Sequence, residues 1–440
     1  MSSALATRIA EEHAAAAPSL PVEVVSRERR RHAIETLAAE GLPTTRDENW
    51  KYANLRPLEK VRFAQPPAGA HAANLQAADL PEAIQGYARY TFVDGVFAPA
   101  LSTPVESKGI AVSTLRAQAA RAALVRPIAD RVNQSKDARF ALLNDAFATD
   151  GASIRVFEGA DCPMCIELVF VATVEAQAGS SYPRVEIHVD ARARVGLIER
   201  HVSVGSGANF VNASVRVDIG RGATVNHYRV QEAGAKATWF DTLSATLAPD
   251  AVYKLHGVNV GGLSARSTIN VQLAGERAEA AISVASLGDR HQVQDTFVVV
   301  DHIAPRARSE QTFRGISAGR ARVTCNSMVA VRKDAKGTDS QQSLRGLLAG
   351  PEAEIDVRPQ LEIYTDDVRC AHGATAGKLD DNMLFYLLSR GIDPETAQRL
   401  LKWAFLEDVV AKIEVPELRR QIERSLAGQM QEADALKELL

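Results

Sequence analysis

Residues 215 to 225 read VRVDIGRGATV and contain the two patterns from which the fold is predicted. The first half alternates apolar with charged side chains, with Val215, Val217 and Ile219 set against Arg216 and Asp218. A period of two residues is typical of a β-strand that buries one face. The second half, Gly222-Ala223-Thr224-Val225, places a turn-forming residue before an alanine, then one variable residue and a β-branched one. The stretch therefore predicts a strand followed by a tight corner.

The same short motif, a turn-forming residue followed by an alanine, recurs through the middle of the chain. Its alanines are Ala193, Ala223, Ala251, Ala278, Ala321 and Ala353. The successive intervals are 30, 28, 27, 43 and 32 residues, and four of the five lie near 30. A β-solenoid explains this spacing, because each turn buries its inward face on the next and places small residues at its corners. A β-sandwich with alanine-rich turns is the alternative.

The composition is that of an ordinary globular protein. The 440 residues are 46% hydrophobic and 24% charged, with a net charge of −3, which excludes disorder for the bulk of the chain and argues against nucleic acid as a partner. Four cysteines are too few for a disulfide framework. Arg8, Glu11 and Glu12 interrupt the N-terminal apolar residues, and no run of about 18 apolar residues follows. We therefore expect a cytoplasmic protein without membrane contact.

Changes in the spacing of apolar residues, together with the position of a linker, divide the chain into four predicted segments. These are an N-terminal helical domain with its linker (1–85), a connecting segment (86–150), a β-helix core (151–377) and a C-terminal helical domain (378–440). One helix is expected from Ser26 to Glu40, because Gly41 follows it in the C-terminal capping position.

Two further helices are predicted after residue 378. Asp393 can cap a helix that Pro394 opens, and another helix begins near Pro416. The first of these carries a single apolar stripe, formed by Ala397, Leu400, Leu401, Ala404 and Phe405. The stripe either packs on the β core or binds another protein, and both interpretations are kept open.

Most enzyme signatures are absent or poorly placed. The chain contains neither GxxxxGK[ST] nor HExxH, so it encodes no phosphate-binding loop of the P-loop type and no zincin site. Residues 315–319 spell GxSxG, but the residues after Ser317 alternate like a strand instead of forming the helix that a nucleophile elbow needs. Cys162 and Cys165 form a CxxC pair without a second pair nearby, which favours two ordinary thiols over a zinc site.

The most informative stretch for function is residues 359–375, PQLEIYTDDVRCAHGAT. Cys370 and His372 are two residues apart, so on a strand they point to the same face. There a thiolate and an imidazole could bind iron or a sulfur species. Val368 shares that face, so the three side chains could equally point into the core.

At this point the sequence resembles a known family, the SufB/SufD proteins of the SUF iron–sulfur cluster assembly machinery, and within it the SufD type. The resemblance is dense between about 290 and 410 and thin between 60 and 290. It also includes the N-terminal residues Glu48-Asn49-Trp50-Lys51-Tyr52. The motifs that carry it are Asp301-His302, Ser309-Glu310-Gln311, Pro359 to Tyr364, Cys370 to Thr375 and Phe385-Tyr386-Leu387.

The resemblance implies a mainly β fold, a right-handed parallel β-helix flanked by N-terminal and C-terminal helical domains. It implies a non-enzymatic scaffold subunit that pairs with SufB and docks the SufC ATPase through the C-terminal helices, where we expect Leu401 and Phe405 to take part. His372 would lie at the interface with SufB as an iron ligand shared with that partner, with Cys370 beside it.

The same resemblance implies a transient iron–sulfur cluster, which would pass to apoprotein acceptors. Binding of a flavin by the complex, and a homodimer when the partner is absent, stay open. Two other classes of protein remain as alternatives. One is a stand-alone β-helix enzyme that acts on carbohydrate, and the other is a serine hydrolase that uses Ser317.

Overall fold

Two long sheets run through the middle of the chain in the computed structural model, which describes residues 3–64, 74–105, 108–118, 136–173, 179–205 and 207–430. The first sheet contains β1 (Ala88–Val93), β2 (Val96–Phe97), β5 (Asp161–Thr173), β8 (Arg194–Val204), β10 (Thr224–Ala233), β12 (Val252–Gly261), β14 (Glu279–Gly288), β16 (Arg308–Ser317), β18 (Thr338–Leu348) and β20 (Val368–Gly377). The second contains β3 (Ile110–Thr114), β4 (Ala152–Val156), β6 (Ser180–Ser181), β7 (Arg184–Val189), β9 (Phe210–Ile219), β11 (Thr238–Leu247), β13 (Ser264–Leu273), β15 (Val293–His302), β17 (Arg322–Val331) and β19 (Glu354–Ile363).

Successive long strands alternate between the two sheets, and each pairs in parallel with the strand one turn further along. Thr224 of β10 lies opposite Val252 of β12, which in turn lies opposite Glu279 of β14. The chain therefore winds as a parallel β-solenoid of about seven turns, with helices at its N- and C-termini. The predicted β-helix is confirmed, and the parallel pairing of successive turns excludes the sandwich.

The corners explain the repeated alanine. The residue before the alanine has a positive φ at five turns of the first sheet: Arg192 (+56°), Gly222 (+65°), Asp250 (+62°), Arg277 (+56°) and Arg306 (+58°). The backbone N–H of Gly222, for example, donates to the carbonyl oxygen of Pro249 in the next turn at 2.9 Å. The alanines that follow, from Ala193 to Ala307, are 0% exposed. A small side chain is needed there because the corner turns inward against its neighbours.

The irregular interval of 43 residues has a simple structural cause. Ala278 precedes β14 in the first sheet, whereas Ala321 precedes β17 in the second sheet. The corner that corresponds to Ala278 one turn later is Ala307, which precedes β16 and is also fully buried. The long interval therefore spans a turn and a half, and the repeat near 30 residues is unbroken within each sheet.

The N-terminal helices cover the outer face of the second sheet. They are α1 (Ser3–Ala16), α2 (Arg27–Glu40), the short α3 (Leu115–Gln118) and α4 (Arg139–Phe147). The predicted start and end of α2 are confirmed, because the Ser26 hydroxyl accepts the Arg29 N–H and Gly41 follows with a φ of +69°. α4 contacts β9 and β11, and strands β1 to β3 come from the same part of the chain.

The C-terminal helices lie against the first sheet. They are α5 (Asp381–Ser389), α6 (Pro394–Val410) and α7 (Pro416–Gln429), and α6 and α7 contact β12, β14 and β16. Asp393 caps α6 as predicted, since its carboxylate accepts the Thr396 N–H at 3.0 Å. Of these three helices only α6 and α7 bury residues.

Candidate functional site

The last turn of the solenoid forms an open end. β19 and β20 are the outermost strands of their sheets, and each pairs with a single neighbour, β17 and β18 respectively. No described strand pairs with their free edges. Every residue of both strands is at least partly exposed, whereas β18 alternates buried with accessible residues. The two sheets therefore end together, with a complete turn of backbone accessible.

Cys370 and His372 lie on this outermost strand and continue two interior rows of the solenoid. Cys370 lies opposite Ser340 and His372 opposite Gln342, and both of these β18 residues are buried. Because side chains at matching positions of successive turns stack, Cys370 and His372 stand at the open ends of two buried rows. Each of the two interpretations, an accessible metal-binding pair and a pair that points into the core, is therefore partly right. The side chains continue interior rows, but they do so on the last strand, where the interior opens to the surface.

The two side chains differ in their surroundings. Cys370 is half-buried and packs against the core between the sheets, as Val368 does, whereas His372 is exposed. Burial raises the pKa of the Cys370 thiol, the nearby Asp339 carboxylate raises it further, and the hydrogen bond to the Ser340 backbone opposes them. The thiol is therefore protonated at neutral pH until a metal or a base takes its proton.

Large exposed apolar side chains follow both of the outermost strands along the chain. Tyr364, just after β19, is 58% exposed, and the whole of α5 lacks a buried residue. In α5, Phe385 is 71% exposed, and Met383 and Tyr386 are also mostly accessible. We call the free edges of β19 and β20 together with α5 the terminal face. It combines unpaired strand edges with exposed aromatic residues.

A complete metal site is not present within the described part of the chain. No group of three or more His, Cys, Asp or Glu side chains is placed there to hold an ion. Cys370 and His372 therefore offer two of the ligands that a metal site would need, and no third is placed beside them among the described residues.

A buried ionic network lies inside the solenoid, which the sequence analysis missed. The Glu199 carboxylate accepts from Arg229 at 2.7 Å and is 2.6 Å from Nε2 of His201 and 3.2 Å from Nε2 of His227. Arg229 also pairs with Asp241. Glu199 and Arg229 lie directly opposite each other on β8 and β10. Their spacing of one turn is the signal that could have revealed the pair.

Ser317 and Cys162, two other residues considered in the sequence, are buried parts of the fold. Ser317 is 0% exposed, its hydroxyl donates to the Ala321 carbonyl oxygen at 2.8 Å, and β17 follows it where an elbow would require a helix. Cys162 is buried at the start of β5. The side chain of Cys165 lies outside the described residues, so the interpretation of Cys162 and Cys165 as two ordinary thiols stays a prediction.

Leu401 and Phe405 lie on α6, half-buried. The buried residues of this helix are Ala397, which belongs to the predicted stripe, and Leu406, Val409 and Val410, which do not. Phe405 packs against the edge of the core between α6, α7 and the first sheet. Ala397 is thus the one fully buried member of the predicted stripe, and Leu406, Val409 and Val410 supply the other buried contacts of α6. Within the described residues, no helix has the length and apolar character needed to cross a lipid bilayer.

Comparison with known proteins identifies the family. The model of the SUF system FeS cluster assembly SufBD core domain matches residues 170–405, and that of the SufBD protein N-terminal region matches residues 19–168. The chain is 29% identical to the iron-sulfur cluster assembly protein SufD of Escherichia coli (strain K12), over 88% of this chain and 89% of that protein.

Two further relatives are similar over different lengths. An iron-sulfur cluster assembly SufBD family protein of Synechocystis is 27% identical over 91% of this chain and 90% of its own length. One from Mycobacterium leprae is 32% identical over 42% of this chain and 51% of its own length. With both domain models matched in order along the solenoid and its N-terminal helices, the chain belongs to the SufBD family of the SUF iron–sulfur cluster assembly system.

Proposed function

We propose that this chain is a non-enzymatic scaffold subunit that pairs with SufB and docks the SufC ATPase, so that an iron–sulfur cluster is built between the two solenoids. The observation that carries the proposal is the terminal face, where Cys370 and His372 stand at the open end of the solenoid beside exposed aromatic residues. Family membership supports the cluster chemistry.

Strand edges argue for a partner at the terminal face. Natural proteins cover or charge the free edges of sheets, because an unpaired row of N–H and C=O groups is a template for another strand. Here β19 and β20 leave two such edges at one end, and the chain continues from β19 to the exposed Tyr364 and from β20 to α5 with its exposed Phe385. A partner that adds its own terminal strands would continue both sheets and cover these aromatic side chains. A second SufBD-type solenoid has strands of the same spacing and is thus suited to this role.

The ligand set argues for a cluster shared between subunits. A cysteine thiolate and a histidine imidazole are suitable ligands for iron, which is the cargo of the assembly and not a resident cofactor. Cys370 and His372 supply two ligands, so the remaining ones would come from sulfide and from SufB. Because burial raises the pKa of Cys370, iron binding would have to release its proton, and cluster formation on this thiol would weaken at low pH.

Docking of SufC is proposed at the C-terminal helices. The apolar residues of α6 that do not form its buried face include Leu401 and Phe405, both half-buried. A half-buried apolar side chain on the outer part of a helix offers a contact without unfolding the solenoid. The ATPase would supply the nucleotide hydrolysis, for which this sequence has no phosphate-binding loop. Its movement would separate the two solenoids and release the cluster to apoproteins.

Co-expression tests the scaffold role. The tagged chain is produced with SufB and SufC of the same organism and purified without oxygen, and the absorption spectrum is recorded. We expect a three-protein complex with sulfide-to-iron charge-transfer bands. A well-folded chain that purifies alone and colourless would contradict the scaffold role, and glycan hydrolysis would then be assayed.

His372→Ala tests the ligand role separately. We expect the same three-protein complex with a strongly reduced cluster yield, because an exposed imidazole is removed without a change in the core. The matched control is His291→Ala, which removes another exposed histidine, at a corner of the solenoid. Full cluster yield in His372→Ala would rule out the ligand role and leave the scaffold role intact.

A further inference from the structure

A wide cavity opens where the N-terminal segment meets the second sheet. Its volume is about 880 Å³, and residues 44–59 line one side while Val293 of β15 and Arg322 of β17 line the other. Pockets that bind small organic ligands usually have volumes of roughly 300–1,000 Å³. The cavity is thus large enough for a ligand of nucleotide size.

The lining of this cavity is strongly cationic. It contains Arg46, Lys51, Arg56 and Arg322, against the single acidic residue Glu59. Arg322 forms an ion pair with Glu354. The other three cations are exposed, and none of them makes an ion pair with a described residue. Positive side chains that share a cavity repel one another, so an anion placed between them would be stabilised.

The backbone that carries these cations is firmly anchored. Trp50 is 1% exposed, its indole N–H donates to the Asp137 carboxylate at 2.9 Å, and the guanidinium carbon of Arg266 lies 3.7 Å from the centre of its ring. Leu55 and Leu58 are buried as well. The anchored residues alternate along the chain with the exposed cations. A site held in this way loses little conformational freedom when it binds a ligand.

The motif Glu48 to Tyr52 thus has two functions in the fold. Glu48 pairs with Arg358 of β19, and Asn49 accepts from Asn326 of β17 at 3.2 Å, so the first part of the motif fastens the N-terminal segment to the solenoid. Lys51, whose ammonium lies 5.4 Å from the ring centre of Tyr52, faces the cavity instead.

We propose that this cavity binds a phosphate-bearing small molecule of nucleotide size, whose phosphate groups are held by Arg46, Lys51 and Arg56. One guanidinium group can donate two parallel hydrogen bonds to the oxygens of a phosphate, and a lysine ammonium on its flexible side chain adds a point charge. Tyr52 and Asn54 in the same lining can contact the organic part of the ligand. The site is independent of the scaffold role, since it uses no residue of the terminal face.

Calorimetric titration of the full chain tests the proposal. The ligands are ADP, inorganic pyrophosphate and adenosine, at low ionic strength. We expect saturable binding of ADP and pyrophosphate at one site, and binding of adenosine weaker by at least about tenfold because it lacks the phosphates. The variant Arg46→Gln/Lys51→Gln/Arg56→Gln should bind ADP at least about tenfold more weakly than the natural chain.

The matched control removes three exposed lysines elsewhere, as Lys236→Gln/Lys333→Gln/Lys336→Gln, and should leave the affinity for ADP unchanged. The proposal is overturned if neither phosphate ligand binds saturably, or if adenosine binds as tightly as ADP. An equal loss in the control variant would also overturn it, because binding would then reflect only the overall charge. Should the triple variant fail to fold, Arg56→Gln alone is measured, and an unchanged affinity there would count against the site.

Discussion

The buried carboxylate of Glu199 shows at the scale of single residues how charge is tolerated inside this solenoid. Burial alone would raise its pKa, but Arg229 and the hydrogen bonds from His201 and His227 hold that pKa well below its usual range. Burial would likewise lower the pKa of Arg229, yet the carboxylates of Asp241 and Glu199 raise it. The charged forms are thus stable only as a group.

Removing one member of this network should destabilise the protein strongly. In Arg229→Met the carboxylates of Glu199 and Asp241 stay buried without their shared cation, which typically costs about 3–5 kcal/mol. Urea unfolding followed by circular dichroism measures the change. The control is Arg192→Met, which breaks the exposed pair of Arg192 with Glu158 and should cost at most about 1 kcal/mol. Equal losses in the two variants would contradict this account of the network.

His302 should make the stability depend on pH. It is 0% exposed, its Nε2 lies 2.8 Å from the Ser309 hydroxyl, and burial lowers its pKa from 6.5 to about 4. Between those values the unfolded chain binds a proton that the folded chain does not, so the free energy of unfolding falls as the pH falls from 6.5 to 4.

The variant His302→Gln keeps a group that can hydrogen-bond to Ser309 but does not titrate. Its free energy of unfolding should change less between pH 6.5 and 4 than that of the natural chain, by up to a few kcal/mol. Urea midpoints at several pH values measure this difference. Parallel pH profiles for the two chains would show that His302 is not responsible.

At the scale of elements, α5 is the helix that the fold leaves without packing. Asp380 caps it and its sequence is apolar, yet none of its residues is buried. Phe385→Asp should therefore leave the thermal unfolding midpoint of the isolated chain nearly unchanged and weaken its co-purification with SufB, because a charge would enter the proposed interface.

The control for α5 is Val105→Asp, which places the same charge on a side chain that is 63% exposed outside the terminal face. This variant should co-purify with SufB as the natural chain does. If Phe385→Asp also retained its partner in full, α5 would lie outside the interface.

At the scale of the whole molecule, the solenoid ends in two edge strands. β19 and β20 are the last strands of their sheets, and no described strand covers their free edges. Without a partner, two copies can join by the same edges, as strand edges and exposed aromatic groups favour. We expect the isolated chain to form a concentration-dependent homodimer, as measured by analytical ultracentrifugation.

Phe385→Asp should shift that equilibrium toward monomer, and Val105→Asp should not. A chain that stays monomeric at high micromolar concentration would argue against self-association through the terminal face.

The local features of this protein can be predicted from neighbouring residues in the chain. The alternation at Val215 to Ile219, the corner at Ala223, the cap at Asp393 and the stop at Gly41 were all predicted correctly. These features follow from neighbours in the chain, since strand period, capping and backbone conformation depend on a few adjacent residues. The resemblance to the SufBD family was likewise readable from short motifs and is confirmed.

Contacts between residues of different turns, by contrast, depend on the three-dimensional fold. The pairing of Glu199 with Arg229 depends on the register of β8 and β10, and the cationic cavity depends on how residues 44–59 rest on β15 and β17. The open position of His372 is decided in the same way, because a strand is an edge only when nothing pairs beyond it. Each of these needs contacts between residues distant in sequence, and no local pattern specifies them.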